Sequence, residues 1–67
     1  MVYSPVDGIV SKLGYPYSDD QAWRYVEITD NSGYRHRLFY CLPAVQISDV
    51  VREGEIVGEA QDISQRY

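Results

Sequence analysis

Two runs rich in β-branched and aromatic side chains, residues 22–30 and 34–42, are separated only by Asn31-Ser32-Gly33. That spacing demands a β-hairpin, with Gly33 supplying the positive φ of a three-residue loop. Setting Asp30 opposite Tyr34 fixes the register of everything that follows. One face then carries the pairs Ile28–His36, Val26–Leu38 and Arg24–Tyr40, and the other carries Thr29–Arg35, Glu27–Arg37 and Tyr25–Phe39. The register matches an ion pair and an aromatic pair on one face and an aliphatic pair on the other. Cross-strand contacts of these kinds each stabilise a sheet by roughly 0.2–1 kcal/mol.

The rest of the chain follows the same period. No stretch places apolar residues at helical spacing for three turns, while short β-rich runs alternate with Gly, Pro, Asp, Asn and Ser. Ser4-Pro5-Val6-Asp7-Gly8 reads as a turn leading into a strand over 8–13, followed by a polar loop over 14–21. Residues 44–51 read as an irregular connection, and Arg52-Glu53-Gly54-Glu55 as a turn into a last strand over 55–63. That strand sets Ile56, Gly58, Ala60 and Asp62 on one side and Val57, Glu59, Gln61 and Ile63 on the other. Gly58 and Ala60 imply close approach of another segment. The fold class is therefore all-β: a single domain over 1–67, an antiparallel β-sandwich or small barrel-sandwich hybrid built around the central hairpin.

A chain of 67 residues lies near the lower limit for a self-sufficient apolar core. Its one cysteine, Cys41, cannot form an internal disulfide or a cysteine-based zinc site, and it reads as a small buried apolar residue. Chains this small without staples gain stability from partner copies, so the sequence predicts a homo-oligomer. The N-terminus has neither a basic region nor an apolar run, which predicts a cytoplasmic protein with no membrane anchor. Ten acidic against six basic residues give a net charge of −4, which argues against general nucleic-acid binding.

Three segments carry a family resemblance: Ser4-Pro5-Val6-Asp7-Gly8-Ile9-Val10; Tyr25-Val26-Glu27-Ile28-Thr29-Asp30-Asn31-Ser32-Gly33-Tyr34 leading to Phe39-Tyr40; and Val51-Arg52-Glu53-Gly54-Glu55-Ile56-Val57-Gly58. In this order they resemble the core of lysostaphin-type zinc endopeptidases, which cleave peptidoglycan cross-bridges. The chain departs from that family where its chemistry resides. The tyrosine of the family's Tyr-x-His segment corresponds to Tyr40, and the position two residues on is Leu42. The upstream His and Asp and the downstream His-x-His have no counterparts. The sole histidine, His36, cannot replace a set of at least three protein ligands. The resemblance thus implies a degenerate, truncated peptidase domain that is not an enzyme and holds no metal or cofactor. It also implies a sheet edge left unpaired by loss of the His-x-His strand. The last turn resembles biotinyl and lipoyl carrier domains as well, but the only lysine, Lys12, lies in the first strand rather than at a hairpin tip.

The candidate site is the one dense basic and aromatic cluster: Trp23, Arg24, Tyr25, Tyr34, Arg35, His36, Arg37 and Tyr40, with Tyr15 and Tyr17 from the preceding loop. Guanidinium groups grip phosphate or carboxylate in a bidentate manner, and aromatic faces stack on planar rings. The pattern therefore fits a small anionic, aromatic ligand such as a nucleotide-derived signal, sequestered as small phage proteins sequester host signals. The plainer reading is a solvated strand face, with Arg37 paired to Glu27 and the aromatics in the core. Tyr15 and Tyr17 would line a cleft or subunit contact, or else cap the sheet end. Asp7, Asp19, Asp20, Asp30 and Asp49 read as turn residues rather than metal ligands. An alternative function is cell-wall binding or a phage structural role.

Overall fold

The computed structural model describes residues 1–62 and residue 64. They form strands β1 (Val2–Tyr3), β2 (Gly8–Gly14), β3 (Tyr25–Asp30), β4 (Arg35–Phe39), β5 (Cys41–Pro43), β6 (Val50–Val51) and β7 (Ile56–Ala60). One antiparallel sheet runs β4-β3-β2-β6 and the other β1-β7-β5. The protein is a small all-β sandwich. Among the described residues no helix is long and apolar enough to cross a membrane.

The hairpin pairs in the predicted register, from Thr29 opposite Arg35 to Tyr25 opposite Phe39. Its tip closes with the Gly33 amide donating to the Asp30 carbonyl at 3.0 Å, with Gly33 at φ 87°. Period-2 alternation turns Val26 and Ile28 inward, where they pack with Val10, Cys41, Val51 and Val57 in one core between the sheets. Full burial of each aliphatic side chain stabilises the fold by about 2 kcal/mol.

Three expectations need correction. The strand expected over 34–42 is two strands, because Tyr40 adopts φ 57° and breaks the ladder. β4 remains beside β3, while β5 crosses to pair with β7 in the other sheet. The hairpin's first strand begins at Tyr25 rather than Ala22, so Arg24 and Tyr40 are not a ladder pair; the Cys41 amide donates to the Arg24 carbonyl at 3.1 Å. The last strand ends at Ala60, short of the expected span, and Ile63 lies outside the described residues. Two short elements, β1 and β6, were not legible: each is two residues long and exists only as a partner of a longer strand.

Turns are held by aspartates, as their positions imply. Asp30 Oδ1 accepts from the amides of Ser32 and Tyr34, Asp49 from that of Gln46, and Asp20 from that of Ala22. Asp7 reaches farther and accepts from the Glu53 amide at 2.7 Å. Buried Ser4 completes that junction by exchanging backbone bonds with Glu55 and Gly54.

Candidate functional site

The ladder of β3 and β4 separates the predicted cluster into two groups. The aromatic group gathers where β4 ends and the loop before β3 returns. Tyr40 is its centre: its hydroxyl meets that of Tyr17 at 2.6 Å, its ring stacks on Tyr17, and Trp23 approaches it edge-on with centroids 6.1 Å apart. Trp23 Nε1 donates to Asp20 Oδ2 at 2.8 Å, which fixes the indole. Phe39, absent from the predicted set, joins the group by touching both Tyr40 and Tyr25. Its signal in the sequence was the expected cross-strand aromatic pair with Tyr25.

Arg24 belongs to this group. Its guanidinium lies 4.6 Å from the centroid of Tyr15, a cation–π arrangement. Its backbone is fixed on both sides, the amide donating to Gln61 Oε1 and the carbonyl accepting from Cys41. Yet Arg24 Nε is buried and has no hydrogen-bond partner among the described residues. A buried donor left unmade costs about 1–3 kcal/mol, so it is a place where an acceptor would be favoured. Tyr25 is 7 % exposed, with its ring laid over Gly14, where any side chain would collide with it. Tyr15 thus lies against Arg24 and Tyr17 against Tyr40 at this sheet end.

The basic group lies along β4 toward the hairpin tip, and two of its members are engaged. Arg37 Nε donates to Glu27 Oε2 at 2.9 Å, and Glu27, 5 % exposed, also accepts from Ser11 Oγ at 2.8 Å. Thr29 donates in turn to Ser11. The sequence shows the Arg37 pair but not Ser11, which the bulge between Val10 and Lys12 leaves without a ladder partner and beside Glu27. His36 Nε2 sits 2.9 Å from Asp30 Oδ2 on the opposite face. Arg35 is exposed and makes no side-chain hydrogen bond or ion pair among the described residues, acting on Glu27 only through its charge, and Tyr34 is 72 % exposed beside the tip. Arg35 and Phe39 are four positions apart, which at strand rise is about 13 Å. One chain therefore does not bring Arg35, His36 and Arg37 to the aromatic end.

Both engaged carboxylates have lowered pKa values. The Ser11 hydrogen bond, then the Arg37 hydrogen bond, favour ionised Glu27, and the His36 bond favours ionised Asp30. A carboxylate held below its unfolded pKa adds stability at pH above that unfolded value, and the gain disappears as pH falls through the folded one. Stability should accordingly be flat at neutral pH and decline on acidification below the ordinary values of 4.5 and 3.8. Urea melts across about pH 2–7 check this. Glu27→Gln should flatten the acid limb, and an unchanged limb would count against the assignment.

The remaining reactive side chain is inert in position: Cys41 is fully buried and desolvation raises its thiol pKa. Among the described residues no three His, Cys, Asp or Glu side chains converge as a metal site would require, and no hollow of ligand size is enclosed. No protein-family model, no curated protein and no solved structure matches the chain.

Proposed function

We propose that this protein is a non-catalytic module that binds, and so sequesters, a small anionic ligand with a planar ring, and that it works as an oligomer. A nucleotide-derived signal is the most concrete ligand of that class. The observation that carries the reading is Arg24: a guanidinium stacked on Tyr15, with Nε buried and unmatched, beside the Tyr17–Tyr40–Trp23 group. A phosphate oxygen would satisfy such a donor, and an aromatic ring would stack on such neighbours. The absence of an enclosing hollow among the described residues fits a ligand held between copies. The groups available for chemistry favour binding over catalysis: His36 is held by Asp30, away from Arg24, and Cys41 is out of reach of solvent.

Calorimetric titration of the whole chain with cyclic nucleotides and ADP-ribose-type nucleotides tests this directly. Saturable heat is expected, with Arg24→Ala weakening affinity at least about tenfold while leaving the fold intact. Arg24→Lys should recover little, because an ammonium lacks the planar fork that stacks on Tyr15. Retention on purified cell-wall sacculi with no nucleotide heat would replace this reading with the cell-wall or phage-assembly role that the lysostaphin-type resemblance implies.

A further inference from the structure

We infer that two copies of this chain pair through their β4 edges about a two-fold axis at Arg37, so that the partner's Arg35 completes the aromatic end of each copy. The inference rests on the reading of that end as a binding site and supplies the wall that one chain lacks.

β4 is the outer strand of its sheet, and no described segment pairs with its far side. The other outer strands are poorer edges: β6 and β1 have two residues each, and β5 has three and contains Pro43. β4 presents five residues without a proline. Which groups face outward follows from the tip. The Asp30 amide donates to the Tyr34 carbonyl at 2.9 Å, so Tyr34, His36 and Leu38 direct their backbone groups toward β3. Arg35, Arg37 and Phe39 then direct their N–H and C=O groups away from it. These unpaired groups are the template onto which a further strand adds.

A second copy fits that template. Antiparallel pairing centred on Arg37 engages the whole strand and sets Arg35 opposite the partner's Phe39, and Phe39 opposite the partner's Arg35. Each pair joins two exposed side chains of a single chain: Phe39 is 51 % exposed, and Arg35 is exposed with no side-chain hydrogen bond or ion pair among the described residues. A guanidinium over an aromatic ring is attractive, and directly opposed side chains lie close enough to interact. The one unfavourable neighbour is Arg37 against the partner's Arg37. Each guanidinium is already held at 2.9 Å by its own buried Glu27, so two ion pairs, not two bare cations, meet at the axis. The partner's Arg35 arrives beside Phe39 and Tyr25, whose rings are 5.4 Å apart. Basic and aromatic groups that lie at opposite ends of β4 in one chain become neighbours across the axis.

Sedimentation equilibrium on the full chain tests this. Phe39→Lys places a cation against the partner's Arg35 twice per dimer and should raise the dimer dissociation constant at least about tenfold. Adding Arg35→Glu to Phe39→Lys creates two opposite-charge pairs and should restore the dimer. Both side chains are exposed, and circular dichroism of the variants checks that the fold is retained. A wild-type chain that stays monomeric at millimolar concentration, or a dimer indifferent to both changes, overturns the pairing. Dimers that respond as described but bind no nucleotide leave the pairing standing and remove the ligand reading. Nucleotide binding by a wild type whose dimerisation ignores Phe39→Lys does the reverse.

Discussion

Replacing Gly58 by alanine should remove about 3 kcal/mol, most of the stability that a chain of this size commands. A Cβ built at Gly58 would lie 2.3 Å from the Leu42 carbonyl oxygen and 2.6 Å from Cys41 Sγ. Neither neighbour is a flexible side-chain end. The oxygen belongs to β5, which pairs with β7 through this residue, and Cys41 is a fully buried member of the core. Making room means lifting β5 off β7 and opening the core between the sheets. Gly54→Ala is the control. Gly54 has φ 87° but nothing within 4 Å of an added Cβ, so only backbone strain of about 1 kcal/mol is expected. Urea melts should rank wild type above Gly54→Ala and Gly54→Ala well above Gly58→Ala; equal midpoints for the two variants would contradict the close contact.

Tyr40 is expected to invert the usual order of alanine and glycine. In a strand interior glycine is the worse residue by about 0.5–1 kcal/mol. Tyr40 has φ 57°, where a Cβ is unfavourable by about 1–2 kcal/mol, and its ring contacts with Tyr17, Trp23 and Phe39 offset that strain. Tyr40→Ala keeps the strain and loses the contacts, for a cost of about 2 kcal/mol for a half-buried ring. Tyr40→Gly loses the same contacts but releases the backbone and should be about 1 kcal/mol more stable than Tyr40→Ala. Thermal melts of the pair decide this, and an alanine variant at least as stable as the glycine variant would show that the left-handed conformation is not retained.

Tyr40 also marks where sequence reading fails. Its run of residues has unbroken β character through Leu42, and β propensity alone carries one strand across it. The break comes from tertiary structure: Cys41 must enter the core and β5 must reach β7, which a straight β4 does not allow. The hairpin was legible because its information is local. A glycine at the tip and complementary pairs such as Glu27–Arg37 determine the register within a few residues. Gly58 was legible for a similar reason, since a residue without a side chain in an otherwise patterned strand signals a close neighbour.

The candidate site was legible in membership but not in arrangement. Arg24, Trp23, Tyr40, Tyr15 and Tyr17 do come together, because the loop before β3 folds back over the end of β4. Arg35, His36 and Arg37 do not join them within the chain. Adjacency in sequence became separation along a strand, and alternation sent His36 to the other face to meet Asp30. The Ser11–Glu27 contact was out of reach of a plain register, since the bulge inserts Ser11 as an extra residue between Val10, opposite Ile28, and Lys12, opposite Glu27.

The single tryptophan gives the most direct test of the central claim, that the aromatic end around Arg24 binds a planar anion. Trp23 contacts Tyr40 within that group, so its emission reports on the site alone. Titration of the whole chain with ADP-ribose and with a cyclic nucleotide should change that emission saturably with at least one of them. In Arg24→Ala the midpoint should move at least about tenfold higher. Unchanged Trp23 emission with both compounds at millimolar concentration, from a chain that circular dichroism shows to be folded, would contradict the account.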